Sequence, residues 1–157
     1  MSFETSIKLA SLEATNIFGQ SLGRNLRGGE VIELKSDLGG GKTTLVKAIV
    51  AGTDSRDNVS SPSFGLINEY STSKFKIYHM DFYRITDPGI MEPEVKELIE
   101  DKSNVIIIEW ADSIVDFLPE QRLIINIKAE SENTRLLSIK YSSELAYLKL
   151  NDMGQTS

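Results

Sequence analysis

The residues from Ser36 to Thr43 combine three glycines with a lysine and a threonine, a set whose chemistry suits phosphate binding. Glycine accepts backbone conformations in which successive N–H groups point inward at an anion. A lysine ammonium in such a loop contacts the outer phosphates of a nucleotide, and a threonine hydroxyl ligates Mg²⁺. Residues 41–43 match the second half of the P-loop pattern, whereas Ser36 stands where that pattern has its first glycine.

A phosphate loop of this kind needs a strand before it and a helix after it. Residues 31–34 predict the strand, and residues 43–51 predict a helix that ends near Gly52. The N-terminus of that helix would direct its backbone N–H groups and the positive end of its dipole at the same anion. The alternative is a glycine-rich turn that carries a surface lysine, and the flanking strand and helix favour the phosphate loop over it.

The remaining pattern predicts an α/β fold with a mixed, partly parallel central sheet. Residues 11–26 predict a helix capped by Ser11, since apolar residues recur at every fourth position. The continuous apolar run 105–108 is typical of a strand that is buried on both faces. Further elements are a hairpin of strands 64–70 and 75–82, a short helix over 92–102, strands over 123–127 and 136–141, and a closing helix over 143–150.

Length and composition favour one domain over the whole chain of 157 residues, with a disordered tail from about residue 151. No run of eighteen apolar residues and no secretory signal is visible, and the chain contains no cysteine, so we expect a cytoplasmic protein without membrane contact. The formal net charge of -6 argues against direct binding of nucleic acid, because such binding depends on neutralising phosphates. Any contact with RNA is therefore expected to run through a protein partner.

Two acidic residues follow apolar strand patterns and are candidates for metal or water chemistry. Glu109 closes the run 105–108, where a carboxylate beside a P-loop meets Mg²⁺ directly or through water. Asp81 could orient an attacking water, or it could cap a turn and pair with Arg84. His79 is the only histidine, so it is expected to be a hydrogen-bonded structural residue rather than a metal ligand.

Four blocks of sequence, in order, resemble the TsaE family (also called YjeE). They are residues 37–44 (DLGGGKTT), 61–64 (SPSF), 79–84 (HMDFYR) and 108–110 (IEW), and the likeness runs from about Ser11 to Arg135. Members of this family are P-loop ATPases that bacteria need to make threonylcarbamoyladenosine on tRNA. The sequence departs from the family at Ser36, which replaces a glycine, at Ser63, which replaces a threonine, and over 89–93.

The resemblance implies a single-domain P-loop NTPase-like three-layer fold that binds ATP and Mg²⁺. It implies slow ATP hydrolysis, partners of the TsaD and TsaB type, and only indirect contact with tRNA. Carried over to this sequence, Lys42 and Asp81 are catalytic, Thr43 and Glu109 bind the metal, and Ser11 and Arg135 flank the adenine. The nucleotide-binding set is Ser11, Leu38, Gly39, Gly40, Gly41, Lys42, Thr43, Thr44 and Arg135.

Three other functions are compatible with a P-loop. A small-molecule kinase usually carries an arginine-bearing lid, and no lid-like insert is visible among the six arginines. A GTPase would carry an Asn-Lys-x-Asp motif, which the sequence lacks, so adenine is the expected base. A nucleotide-switched binding module, whose hydrolysis is incidental, stays open beside the ATPase hypothesis.

Overall fold

In the computed structural model, the described residues are 2–37, 39, 41–59, 67–83 and 88–153. Within them, seven strands form one sheet in the order β1-β7-β6-β2-β5-β4-β3. The strands are β1 (Ser2–Leu9), β2 (Val31–Lys35), β3 (Ile67–Ser71), β4 (Lys76–Asp81), β5 (Asn104–Glu109), β6 (Leu123–Ala129) and β7 (Arg135–Ser142), and the α-helices are α1 (Leu12–Asn25), α2 (Lys42–Gly52) and α3 (Glu92–Glu100).

The centre of the sheet is parallel, and its outer strands are antiparallel. Strand β2 pairs in parallel with β5 and β6, and β5 pairs in parallel with β4. Strands β3, β7 and β1 are antiparallel additions, so the predicted mixed sheet and the hairpin of β3 and β4 are confirmed. Because β2, β4 and β5 run in one direction, their carboxyl ends meet at one edge, where α/β folds bind ligands.

Helices cover both faces of the sheet, which confirms the three-layer α/β fold. Helices α1 and α2 bury Phe18, Leu22 and Ile49 against one face, with Ile32 and Ile107 from the central strands. Helix α3 and the 3-10 helix Ala111–Phe117 cover the other face, where the core contains Val95, Ile99, Ile106, Ile108 and Ile114. Every residue of β5 is buried, as its β-branched run predicted.

Helices α1 and α2 approach each other closely because glycines line their contact. Without side chains at these positions, the two helix backbones can lie almost in contact. A Cβ atom added to Gly23 would lie 2.0 Å from the carbonyl oxygen of Ile49, and one added to Gly52 would lie 2.1 Å from the carbonyl oxygen of Gln20. The helix that begins at the glycine-rich loop is therefore tightly joined to α1.

The N-terminal strand was not predicted. In β1 the buried residues Ile7 and Leu9 alternate with exposed polar ones, and Thr5 interrupts the apolar side of the pattern. Strand β1 lies at the edge of the sheet and pairs with β7 along its whole length. Tertiary pairing with β7, rather than local hydrophobicity, therefore defines this strand.

The C-terminal predictions need correction. Instead of one closing helix over 143–150, Ser143–Leu148 form a 3-10 helix, which ends where Lys149 adopts a left-handed conformation with a φ of 57°. Leu150–Asp152 form a further short 3-10 helix, and Met153 is buried in the core, so a disordered tail does not begin at residue 151. Residues 154–157 lie outside the described residues. No helix in the described part of the chain has the length and apolar character to cross a membrane.

Ser11 caps α1 as predicted, and its removal has a measurable cost. Its hydroxyl oxygen accepts a hydrogen bond of 3.0 Å from the backbone N–H of Ala14. We expect Ser11→Ala to lower the free energy of unfolding by about 1 kcal/mol, because one N–H at the helix start loses its partner. Urea denaturation would measure the loss. The control is Ser11→Asp, which can still cap the helix, and an equal loss in that variant would contradict a capping role.

Candidate functional site

The loop between β2 and α2 has the backbone conformation that its glycines permit. Gly39 and Gly41 have φ angles of 81° and 100°, in the left-handed region that side chains disfavour. Helix α2 starts at Lys42, with Thr43 and Thr44 in its first turn. Its N-cap, Gly41, has no side chain to bond the first backbone N–H groups of the helix. Such an N-terminus is a ready-made anion site. Leu38 and Gly40 lie outside the described residues.

Arg135 lies against the start of α2. A Cβ atom at Gly41 would lie 3.2 Å from Nε of Arg135, so a side chain there would crowd the guanidinium in addition to straining the backbone. Nη1 of Arg135 donates to the backbone carbonyls of Ser131, Glu132 and Thr134, at 2.9, 3.2 and 3.1 Å respectively. These bonds hold the guanidinium beside the loop.

The unpredicted strand β1 brings Ser11 to the same corner of the molecule. Leu9 pairs with Arg135 in the sheet, and the hydroxyl of Thr134 donates to the carbonyl of Ala10 at 3.4 Å. Ser11, which follows directly, is exposed and is occupied as the cap of α1. Ser11 and Arg135, which the resemblance places beside the adenine, thus lie in the same region next to the loop. Their contact with a base stays a prediction.

Lys42 is only 7% exposed, and its ammonium group already has partners. Nζ donates to the hydroxyl oxygen of Ser36 at 2.9 Å and lies 4.3 Å from the centre of the Trp110 ring. Ser36 is the residue that departs from the P-loop pattern, and a glycine there would offer no hydroxyl. The lysine also lies 3.4 Å from the Ser36 carbonyl, so the departure adds a second internal acceptor, which the sequence alone did not reveal.

Two carboxylates lie at the carboxyl edge of the sheet, on the face that α2 covers. Asp81 ends β4 and pairs in register with Glu109, which ends β5. Glu109 is 4% exposed, and its Oε2 is hydrogen-bonded to Nε2 of the fully buried His79. His79 is thus a hydrogen-bonded histidine, as expected. Its spacing of two residues from Asp81 in a strand was the signal that both side chains share one face.

Asp81 caps a turn, one of the two alternatives that the sequence left open. Its Oδ1 accepts a 3.0 Å hydrogen bond from the backbone N–H of Tyr83. Burial raises the pKa of the Asp81 carboxyl, and the nearby Glu109 carboxylate raises it further, against the lowering effect of the Tyr83 bond and of Lys42. Arg84 and the segment 60–66, which includes Ser63, lie outside the described residues.

Trp110, whose ring contacts Lys42, also packs against the ring of Tyr83. Their ring centres are 4.8 Å apart, and Tyr83 is exposed. Trp110 has a φ of 57°, which costs energy in a residue with a side chain and turns the chain sharply after β5. The sequence gave no signal for the contact of Trp110 with the lysine.

The residues at this edge fit a bound Mg²⁺. A hydroxyl at Thr43 and a buried carboxylate at Glu109 are hard oxygen ligands of the type that Mg²⁺ prefers. His79 uses only one oxygen of that carboxylate, Oε2. Among the described residues no group of three His, Cys, Asp or Glu side chains could hold a metal ion alone.

A glycine loop that starts a helix at the carboxyl edge of parallel strands, inside a three-layer fold, defines a P-loop protein. The family model described as "Threonylcarbamoyl adenosine biosynthesis protein TsaE" matches residues 9–137. The chain belongs to the TsaE family, as the four sequence blocks predicted.

Individual relatives agree with the family model. The tRNA threonylcarbamoyladenosine biosynthesis protein TsaE of Rickettsia prowazekii (strain Madrid E) is 36% identical over 133 residues, covering 83% of this chain and 91% of the relative. The protein of that name from Bacillus subtilis (strain 168) is 39% identical over 111 residues, covering 68% and 66%. The crystal structure of Bacillus subtilis YdiB matches with a TM-score of 0.74 and 27% identity, covering 97% of this chain and 94% of that chain.

Proposed function

We propose that this chain binds ATP with Mg²⁺, hydrolyses it slowly, and thereby supports formation of threonylcarbamoyladenosine at position 37 of tRNA. The observation that carries the proposal is the buried Lys42 at the start of α2, in a P-loop fold that also buries Glu109 at the adjoining strand end. Relatives with 36% and 39% identity carry the name of this biosynthesis, which supports the pathway.

The roles of the residues follow from their chemistry. Lys42 balances the charge of the outer phosphates, while the backbone of Leu38, Gly39, Gly40 and Gly41 and the first turn of α2 hold the phosphate chain. Thr43 and Glu109 hold Mg²⁺, which when bound neutralises charge that develops on the transferred phosphoryl group. Asp81 orients the attacking water, and its raised pKa places it closer to the range of a proton acceptor.

The ATPase is proposed to act on partner proteins rather than on tRNA itself. With a net charge of -6, the chain lacks the basic excess by which proteins hold nucleic acid. We propose TsaD- and TsaB-type proteins in the cytoplasm as its partners, with hydrolysis resetting their complex between rounds of modification. Slow turnover by the isolated chain follows from this role, because hydrolysis without partners would be wasted.

Calorimetric titration with ATP, GTP and ADP, each with and without Mg²⁺, tests the proposal. The expected result is preference for adenine nucleotides, with tighter ATP binding when Mg²⁺ is present. Phosphate release should be slow for the chain alone and faster when TsaD and TsaB are added. Equal binding of GTP, or transfer of phosphate to a metabolite at ordinary enzyme rates, would contradict the proposal.

The Thr43 hydroxyl gives a sharper test of the metal site. We expect Thr43→Val, which keeps the shape of the side chain, to reduce the Mg²⁺-dependent gain in ATP affinity by about tenfold. Binding of ATP without Mg²⁺ should stay close to that of the unaltered chain. Thr43→Ser keeps the hydroxyl and is the matched control. A full Mg²⁺ effect in Thr43→Val would exclude the threonine as a ligand.

A further inference from the structure

We propose that His79 is a positioning residue for the metal site, because it holds the Glu109 carboxylate in place and leaves its second oxygen to Mg²⁺. This inference rests on the proposed function, since it assigns a role within the same site. It concerns a fully buried histidine to which the roles described above give no task. The carboxylate it contacts is also almost fully buried.

The sheet itself fixes the geometry of the pair. Strands β4 and β5 are parallel neighbours, with His79 opposite Ile107 and Asp81 opposite Glu109. The side chains of His79 and Glu109 therefore meet diagonally on one face, between strands that cannot slide without breaking the ladder. The same face of these two strands also carries the apolar residues Ile77, Val105 and Ile107, all 0% exposed. A carboxylate in such surroundings is costly to ionise unless donors or cations compensate it.

The hydrogen bonds available to the pair determine which imidazole nitrogen carries the proton. An ionised carboxylate only accepts hydrogen bonds, so Nε2 of His79 is the donor to Oε2 of Glu109. Nδ1 is buried and has no partner within the described residues. A buried N–H without an acceptor costs more than a buried lone pair, so the neutral ring with its proton on Nε2 fits the site.

The Glu109 carboxylate can accept more hydrogen bonds than His79 provides. A carboxylate has two oxygens and about four acceptor positions, and the imidazole occupies one of them. A single neutral donor compensates a buried charge only in part. Within the described part of the chain no hydrogen bond to Oε1 is seen, and a divalent cation on that oxygen would complete the compensation. Outer partners of this kind orient a ligand for its metal, and their loss typically weakens metal binding 10- to 100-fold.

Two variants of His79 separate positioning from a purely structural role. We expect His79→Leu, which removes the donor, to reduce the Mg²⁺-dependent gain in ATP affinity by about tenfold, with Mg²⁺-free ATP binding unchanged. His79→Gln keeps an N–H donor at a similar reach and should recover much of the gain. Ile77→Val, on the same strand and face, is the matched control for a disturbed core. Titration calorimetry with ATP and Mg²⁺ measures all four proteins.

The unaltered chain offers a second readout that does not depend on whether the variants fold. Because it contains one histidine, ¹⁵N-labelled histidine gives a single imidazole spin system in NMR. We expect a neutral ring protonated at Nε2, whose signal shifts when Mg²⁺ is added to the ATP-bound protein. A proton on Nδ1 instead, or no response to Mg²⁺, would overturn the inference.

The outcomes distinguish the two proposals. If the unaltered chain shows no Mg²⁺-dependent ATP binding, the proposed function fails and the role of His79 fails with it. If that binding is present and His79→Leu keeps the full Mg²⁺ effect, only the positioning role is overturned. A loss of stability in His79→Leu with an unchanged Mg²⁺ effect would likewise make the pair structural.

Discussion

Lys42→Ala is expected to weaken binding of ATP with Mg²⁺ by about 100-fold, measured by titration calorimetry. A charge-assisted hydrogen bond in a buried site contributes about 1.5–3 kcal/mol, and each 1.4 kcal/mol corresponds to about tenfold in affinity. The ammonium of Lys42 is largely removed from water, so the upper part of that range applies. Alanine leaves the phosphates facing a site that has lost its fixed cation.

Lys47→Ala is the matched control, because Lys47 lies on the same helix but is exposed. It removes the same charge from the protein and should leave affinity nearly unchanged. Circular dichroism would verify that both variants fold. Equal affinity for ATP in Lys42→Ala and the unaltered chain would refute the assignment of the loop as a phosphate site.

Gly23→Ala is expected to lower the free energy of unfolding by about 3 kcal/mol, measured by urea denaturation. Helix propensity alone predicts the opposite sign, since alanine is favoured over glycine within a helix by about 1 kcal/mol. The added Cβ atom, however, would lie 2.0 Å from the carbonyl oxygen of Ile49, and a backbone atom cannot turn aside as a side chain can. Helices α1 and α2 must therefore separate, which opens the core between them.

Asn16→Ala is the control for this prediction, because Asn16 lies on α1 with its side chain exposed. The helix-propensity term then acts without a clash, so the variant should be as stable as the unaltered chain or slightly more stable. A Gly23→Ala protein of unchanged stability would show that the two helices are not packed backbone to backbone.

The elements that position the site were predictable because their signals are local. The four β-branched or apolar residues at 105–108 predicted a buried strand, and the structure extends it by one residue at each end. Ser11 predicted the start of α1, and the glycine loop predicted the start of α2 to within one residue. In each case neighbouring residues carry the whole signal, either as a hydrophobic run or as a cap.

The missing parts depend on contacts between residues distant in the sequence. Strand β1 has too few apolar residues to be recognised alone, and it exists through its pairing with β7. The contact of Lys42 with Trp110 joins the start of α2 to the residue after β5, far apart in the sequence. The bond of His79 to Glu109 requires the register of β4 on β5, which no spacing along the chain reveals. Such information enters only with the topology.

If the loop binds ATP as proposed, the hydroxyl of Ser36 makes nucleotide binding an exchange of partners for Lys42. Phosphate oxygens would compete for an ammonium group that already has a 2.9 Å bond to the Ser36 hydroxyl and the Trp110 ring as partners. The net affinity is thus the difference between two sets of favourable contacts, so it is smaller than the phosphate contacts alone would give. In the proposed ATPase, the same internal acceptor would receive the lysine again when product departs, which favours release over retention.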